Sequence, residues 1–300
     1  MTFAASALLT RTLKKTAHDI SAYNEHMDRK KRSRIAKEKD KKRAETEDTF
    51  AAFIIDMEAV KNCPKAQSGE FFYISKLSCY DLSVYDLKTG NMTCFLWDQT
   101  QAARGSNEVG SCILHLLRSV PKKITEVVIW ADTCSGQNRN KENAAGVLHF
   151  LCCEKDHAIQ KVHLKFFEQG HNQSEVDTIH QMIEKVTKKQ EVYVPSRYKE
   201  LIRGASKKRP IRTVNLATNE FPVYDLHVLA EETVINRNRY GVVGQDGKFK
   251  IEEASWMTAK RLSFTKDSRL IAFSTLPDCP DPLQDILVPS NHKVCTVDII

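Results

Sequence analysis

The chain has 300 residues, of which 41% are hydrophobic and 28% are charged, and its formal net charge is +7. The hydrophobic fraction suffices for a core and excludes a wholly disordered chain, and the length predicts one large domain or two small ones. No run reaches the roughly 18 apolar residues of a membrane helix, so a membrane-spanning protein is excluded and no membrane partner is expected.

The basic charge lies in one segment, residues 29–43, which holds ten Lys or Arg against two acids, so the rest of the chain sums to −1. No Pro or Gly occurs from residue 18 to residue 46, which predicts a long exposed helix and a basic helical lead-in over residues 1–48. The bases could bind nucleic acid or direct the chain to the nucleus, or they could pair with acids one turn away. The candidate nucleic-acid contacts in this segment are Arg29, Lys30, Lys31 and Arg32.

Nine cysteines are present, and none of them belongs to a Cys-x-x-Cys motif. This spacing indicates neither a disulfide framework nor a zinc finger, and it favours a reducing compartment. Together with the basic segment it predicts a location in the nucleus, with the cytosol as the alternative.

The body of the chain begins with three predicted strands. Residues 51–60 form a short apolar run broken by Asp56, which is typical of a buried strand. Residues 70–87 are rich in aromatic and β-branched side chains, and after a turn at residues 88–91 the strand 92–98 returns antiparallel.

Helices and strands then alternate. The apolar run at residues 125–132 is typical of a central strand buried on both faces, and residues 160–168 predict a fifth strand. The predicted helices are 107–120, 141–153, 174–189 and a short one near 196–203. This order predicts an α/β (α+β) fold over residues 49–205, with a mixed five-stranded sheet flanked by helices. Residues 206–300 are predicted to form a small β-rich module that includes a strand at 223–229.

Acidic residues fall at the ends of these predicted elements. Asp56 ends the first strand and Asp132 ends the fourth, while Asp177 and Glu184 lie on the helix after the fifth. An acid inside an apolar strand costs free energy unless it is paired or binds a cation. If the first and fourth strands are neighbours, these carboxylates come together and favour Mg²⁺ or Mn²⁺, and a pair of such ions can activate a water or a 3′-hydroxyl. The alternative is that each acid only caps a turn.

Two polar segments adjoin the same predicted edge of the sheet. Gln137, Asn138 and Arg139 follow the central strand and could contact a nucleic-acid backbone, or they could form a solvated turn. His171 follows the fifth strand and could reach a metal or a phosphate, or it could be held by an ordinary hydrogen bond.

Five segments follow one another along the chain: FIIDMEAVKNCPK, FFYISKLSCYDLSVYD, WDQTQAARGSNEVGSCI, WADTCSGQNRN and GHNQSEVDTIHQMIEK. In order and spacing they resemble an uncharacterised transposon-derived family that is abundant in insect and other invertebrate genomes. The resemblance covers about residues 45–205. That family is similar to RNase H-like domains of the DDE integrase or transposase type. Thr133 and Ser135 depart from it, because they stand where it commonly has Asn and Gly.

The resemblance implies an acidic triad in which Asp56, Asp132 and Asp177 are catalytic and bind the metal ions, with Glu184 as the alternative third acid. Asp177 is preferred because it lies nearer the start of its helix. The implied function is a transposase-derived domain that cleaves or joins DNA with two Mg²⁺ or Mn²⁺ ions, that is, a metal-dependent nuclease or strand transferase. The alternative is a domesticated, non-catalytic module that binds DNA or protein on the same fold. The sequence leaves open whether the chain forms a homo-oligomer.

Overall fold

The computed structural model describes residues 3–66, 74–168, 174–233, 239–243, 249–253, 258–266, 270–274, 277 and 284–287. Within them, helices cover both faces of a mixed sheet, so the predicted mixed α/β class is confirmed. No helix in this part of the chain combines the length and the apolar character that a membrane crossing requires.

The N-terminal helix, α1, spans Phe3–Thr46, which confirms the predicted helix and extends it. Its inward face is made of small residues such as Ala36, which is buried in the core beside the first and central strands. Asp40, one turn further along, is also buried and accepts hydrogen bonds from Trp130 Nε1 (2.8 Å) and Lys165 Nζ (2.7 Å). Close packing and a buried ion pair therefore fix the second half of α1 to the sheet.

The first four strands are β1 (Phe50–Met57), β2 (Lys61–Cys63), β3 (Leu77–Asp86) and β4 (Met92–Asp98). β3 runs antiparallel to β1, to β4 and to the short β2, which confirms the predicted antiparallel pairing. The turn that joins β3 to β4 contains Gly90, whose φ of +69° lies in the left-handed region that favours glycine.

The alternating part of the chain follows its predicted order closely. Its elements are α2 (Ser106–Ser119), β5 (Glu126–Ala131), α3 (Lys141–Cys153), β6 (Lys161–Phe166), α4 (Glu175–Thr187) and α5 (Ser196–Arg203). β5 lies between β1 and β6 and is parallel to both, so the predicted central strand is confirmed. β5 is buried on both faces because helices cover both sides of the sheet at this point.

The C-terminal part contains β7 (Arg212–Asn215), α6 (Leu226–Thr233), β8 (Arg239–Val243), β9 (Phe249–Glu253), β10 (Arg261–Thr265), β11 (Leu270–Ser274) and β12 (Gln284–Leu287). The predicted strand at 223–229 is wrong, because α6 begins within it. Asp225 Oδ1 accepts hydrogen bonds from two backbone N–H groups in the first turn of this helix, those of His227 and Val228. Leu226, Leu229 and Ala230 then follow a helical spacing that packs them into the core with α2 and α3.

The strands are hydrogen-bonded in the order β7-β4-β3-β1-β5-β6-β10-β11-β12-β8-β9. The five strands predicted for residues 49–205 are neighbours within this order, but β7 adds to β4 and β10 adds to β6. The β-rich module predicted for residues 206–300 therefore contributes strands to the same sheet. This addition has a physical reason, since β4 and β6 would otherwise leave their outer backbone groups unpaired at the edges.

Successive side chains of β1 point to opposite faces of the sheet. Ile55 belongs to the core beneath α2, α3 and α6, whereas Ile54 belongs to the core beneath α1. Because side chains of a strand alternate, Asp56 lies on the same face as Ile54. The side chain of Asp56 therefore projects from β1 on the side of the sheet that α1 and α4 cover.

Candidate metal centre

Asp56 and Asp132 reach one edge of the sheet because their strands are parallel neighbours. In the register of β1 and β5, Ile54 pairs with Trp130. Asp56 and Asp132 each follow this pair by two residues. They are therefore side by side and on the same face of the sheet. A shared site required the first and fourth predicted strands to be neighbours, and β1 and β5 are neighbours.

Helix α4 brings two more side chains to this edge. Ile179 and Ile183 are buried, and this anchors α4 on the sheet with Asp177 and His180 beside the end of β1. Ligand atoms of Asp56, Asp177 and His180 all lie within 4.8 Å of one another. His180 Nδ1 is 3.9 Å from Asp56 Oδ2. These three residues are referred to below as the metal-centre cluster.

The electrostatics of the metal-centre cluster suit a cation. Burial, followed by the negative charges of Asp132 and Asp177, raises the pKa of Asp56 to about 7. Burial lowers the pKa of His180, so its imidazole is neutral at pH 7, which is the form that binds metals. Its Nε2 atom is buried and has no hydrogen-bond partner among the described residues. Mutually repelling carboxylates beside a neutral imidazole therefore form a donor set that fits a divalent ion.

The carboxylate of Asp177 is held in place by the start of its own helix. Ser174 precedes α4, and its backbone N–H donates to Asp177 Oδ2 at 2.6 Å as one half of a capping box. One carboxylate oxygen thus orients the side chain and the other remains for a ligand. Carboxylates that bind metals are commonly oriented by such outer hydrogen bonds.

The negative charge of Asp132 acts on Asp56, but Asp132 is not one of the three residues of the metal-centre cluster. Its Oδ1 accepts hydrogen bonds from the backbone N–H of Cys134 (3.0 Å) and from the side-chain amide of Asn138. Asp132 therefore organises the loop after β5 at the same time as it lies beside Asp56. The two predicted alternatives for this acid, a place in the acidic group and the capping of a turn, therefore occur together.

The loop after β5 turns two of its polar side chains inward. Asn138 and Arg139 are each 3% exposed, and Arg139 Nη1 donates to the carbonyl oxygen of Ala259 at 3.3 Å. This burial does not favour the contact with a nucleic-acid backbone that the sequence suggested for them. Gln137 is half-buried and is the more accessible of the three predicted loop contacts.

The structure distinguishes the two candidates for the third acid. Glu184 is exposed on α4 and lies outside the metal-centre cluster, whereas Asp177 belongs to it. His180 is not among the predicted ligands, although its spacing of three residues from Asp177 on one helix could have indicated it. His171 lies outside the described residues.

Several bases of α1 hold the helix to the body of the protein. Arg29 Nε donates to Glu168 at 3.2 Å, so this predicted nucleic-acid contact is already paired. Lys37 Nζ donates to Glu175 at 2.8 Å, which ties α1 to the helix that bears Asp177. Lys30 is half-buried. The bases of residues 29–43 that are exposed and lack an ion pair among the described residues are Lys31, Arg32, Arg34, Lys39 and Lys42.

Comparison with known proteins gives a family for this chain. A family model described as "Domain of unknown function (DUF7869)" matches residues 84–254, which is more than half of the sequence. The match contains Asp132, Asp177 and His180 and begins beyond Asp56. No curated protein and no solved structure matches the chain.

Proposed function

The chain belongs to the family of the domain of unknown function DUF7869, and from its site we propose that it is a transposase-derived, RNase H-like domain that transfers phosphoryl groups in DNA. One observation carries this proposal: ligand atoms of Asp56, Asp177 and His180 lie within 4.8 Å of one another, with Asp132 level with Asp56 on the next strand. The order of the five motifs quoted above supports the same function.

The residues of the site fit divalent cations. The metal-centre cluster would hold one Mg²⁺ or Mn²⁺ ion, and Asp132 together with Asp56 offers carboxylate oxygens for a second. Such ions, when bound, activate a water or a 3′-hydroxyl and stabilise the leaving oxygen of a phosphodiester. Asp56, with its pKa raised to about 7, exchanges its proton for a cation near neutral pH.

The exposed bases of α1 supply the DNA affinity of the proposed function. Lys31, Arg32 and Arg34 point to solvent, and the contact between Lys37 and Glu175 keeps their helix beside α4. Exposed positive charges bind phosphates without reading sequence. Their affinity falls as the salt concentration rises, because the counterions that the DNA releases on binding then gain less entropy. A nuclear location is part of this proposal.

Nicking of supercoiled DNA by the purified chain tests the proposal. We expect nicking with Mn²⁺ or Mg²⁺ that is lost with EDTA and falls by about a hundredfold or more in Asp132→Asn and Asp177→Asn, because each removes a charge that holds the ions. Glu184→Gln is the matched control, since Glu184 is an exposed acid of the same helix, and it should retain nicking.

The same assay separates catalysis from binding alone. A chain that binds DNA in a salt-dependent manner, never nicks it, and binds equally well after Asp132→Asn would be the non-catalytic module, and the phosphoryl-transfer function would be wrong. The exposed bases of α1 would account for that binding without any contribution from the metal-centre cluster.

A further inference from the structure

The first half of α1 carries large apolar side chains that the body of the protein leaves exposed. Ile20, Tyr23 and Met27 are 57%, 62% and 42% exposed, and they follow one another at intervals of three and four residues. Single exposed apolar residues are ordinary on a protein surface. Three of them on one face of a helix form a continuous patch, and such a patch commonly marks an interaction surface.

The amino-acid sequence continues the same spacing toward the N-terminus. Leu9, Leu13 and Thr16 extend the series, so that steps of four and three residues alternate from position 9 to position 27. The backbone of α1 is helical throughout this range. Five of the six positions are apolar, and all six share less than about a quarter of the helix circumference. An apolar repeat of 3.5 residues is typical of a coiled coil. These six positions are called the α1 stripe below.

The α1 stripe is separate from the face of α1 that packs on the sheet. That face contains the buried residues Ala36, Asp40 and Ala44, and it lies more than about a third of a turn around the helix from the stripe. Polar contacts between α1 and the described rest of the chain begin at His26, whose Nδ1 is 3.6 Å from Glu168 Oε1. A second helix can therefore lie along the stripe without meeting the sheet.

Charges on the same segment identify a second copy of this chain as the occupant. Residues 9–18 contain three bases and no acid, whereas residues 19–28 contain three acids and no Lys or Arg. These residues are Arg11, Lys14 and Lys15 in the basic half and Asp19, Glu25 and Asp28 in the acidic half. Two such helices that run in opposite directions place each basic half along an acidic half. Two helices that run in the same direction would place like charges together.

We propose that residues 9–28 of two copies of this chain pair as an antiparallel coiled coil, which makes the protein a dimer. The same stripe serves both copies, as a two-fold axis requires. The second half of α1 is fixed to the sheet, so the first half extends a helix that is already nucleated. The contact is only about 27 Å long, so the dimer forms reversibly, with a micromolar dissociation constant. The proposal does not depend on phosphoryl transfer.

Analytical ultracentrifugation of the full chain, purified free of nucleic acid, tests the proposal. Concentrations from about 1 to 200 μM cover the range in which such a dimer forms and dissociates. We expect an equilibrium between monomer and dimer. The dimer should weaken as the salt concentration rises, because salt screens the attraction between the basic and acidic halves.

A single substitution in the α1 stripe gives the main comparison. Ile20→Asp removes an apolar side chain from the contact in both copies, so it should raise the dissociation constant at least about a hundredfold. Ile20 is exposed in the single chain, so the variant should unfold like the unaltered protein at low concentration. Ile35→Asp is the matched control, because Ile35 is an exposed residue of the same helix outside the stripe, and it should leave the dimer unchanged.

The direction of pairing is tested by Lys14→Glu combined with Lys15→Glu. With Arg11 retained, this changes the basic half from +3 to −1. In the antiparallel pair the new acids lie along the acidic half of the other copy, so the dissociation constant should rise at least about tenfold. In a parallel pair the same change would relieve repulsion between two basic halves, and the dimer would tighten.

Three results would overturn the proposal. The first is a chain that stays monomeric at the highest concentration, and binding of that monomer to anionic lipid vesicles would assign the stripe to a membrane surface instead. The second is a dimer that Ile20→Asp leaves intact, because another surface would then join the copies. The third is a dimer that the two Lys→Glu changes tighten. None of these results bears on DNA nicking, which is assigned to the metal-centre cluster.

Discussion

Replacing Asp56 by Asn is expected to stabilise the protein when no metal is present. The pKa of Asp56 lies at about 7 instead of the ordinary 3.8, which corresponds to about 4 kcal/mol of unfavourable interaction for the carboxylate. The side chain is 32% exposed, so solvent screens part of this interaction, and about 1–2 kcal/mol is the expected gain. Asn keeps the shape of Asp but removes the charge that Asp132 and Asp177 repel.

The gain should depend on pH in a definite direction. Between about pH 4 and pH 7 the folded chain holds a proton on Asp56 that the unfolded chain has lost, so stability declines as pH rises through that window. Asn lacks this titration. The variant should therefore match the unaltered protein near pH 4 and exceed it by the full amount at pH 8.

Urea unfolding in EDTA at pH 5 and pH 8 measures both effects, with Glu184→Gln as a control that should change little because Glu184 is exposed. Addition of Mn²⁺ to about 100 times its dissociation constant should stabilise the unaltered protein by about 2.7 kcal/mol and the Asp56→Asn protein much less. A variant that is less stable than the unaltered protein at pH 8, or that Mn²⁺ stabilises equally, would refute the reasoning.

Two further predictions concern the packing that positions the site. Asp40→Ala should cost about 3–5 kcal/mol in urea unfolding, because it leaves a buried lysine unpaired. Asp48→Ala removes only exposed ion pairs and should change the free energy of unfolding far less. Similar losses of stability in the two variants would contradict a stabilising role for the buried pair. Gly110→Ala should destabilise by about 1–3 kcal/mol despite the better helix propensity of Ala, since the new Cβ would collide with Leu226. Gly136→Ala, which meets nothing within 4 Å, is its control, and an equal loss there would exclude the collision as the cause.

Much of the chain could be predicted because the relevant signals are local. The apolar run of β5, the capping residue Ser174 before α4 and the absence of Pro and Gly in α1 each act within a few residues. The helix α6 in the C-terminal part was harder to predict from the sequence. The segment around Leu226 contains apolar and β-branched residues that suit a strand, and only the hydrogen bonds of Asp225 and the packing on α2 and α3 make it a helix.

The sequence by itself determined which acids end apolar strands, and it determined the order of strands and helices along the chain. That β1 and β5 are parallel neighbours, which brings Asp56 and Asp132 to one edge, came from the tertiary structure. Only the tertiary structure decided that Asp177 rather than Glu184 lies beside them, that His180 completes the group, and that the loop after β5 turns Asn138 inward. These outcomes depend on how α4 is rotated and seated on a strand more than a hundred residues away in the chain. Periodicity identifies which residues share a helix face, but the distance of that face from another element is set by packing across the whole sheet.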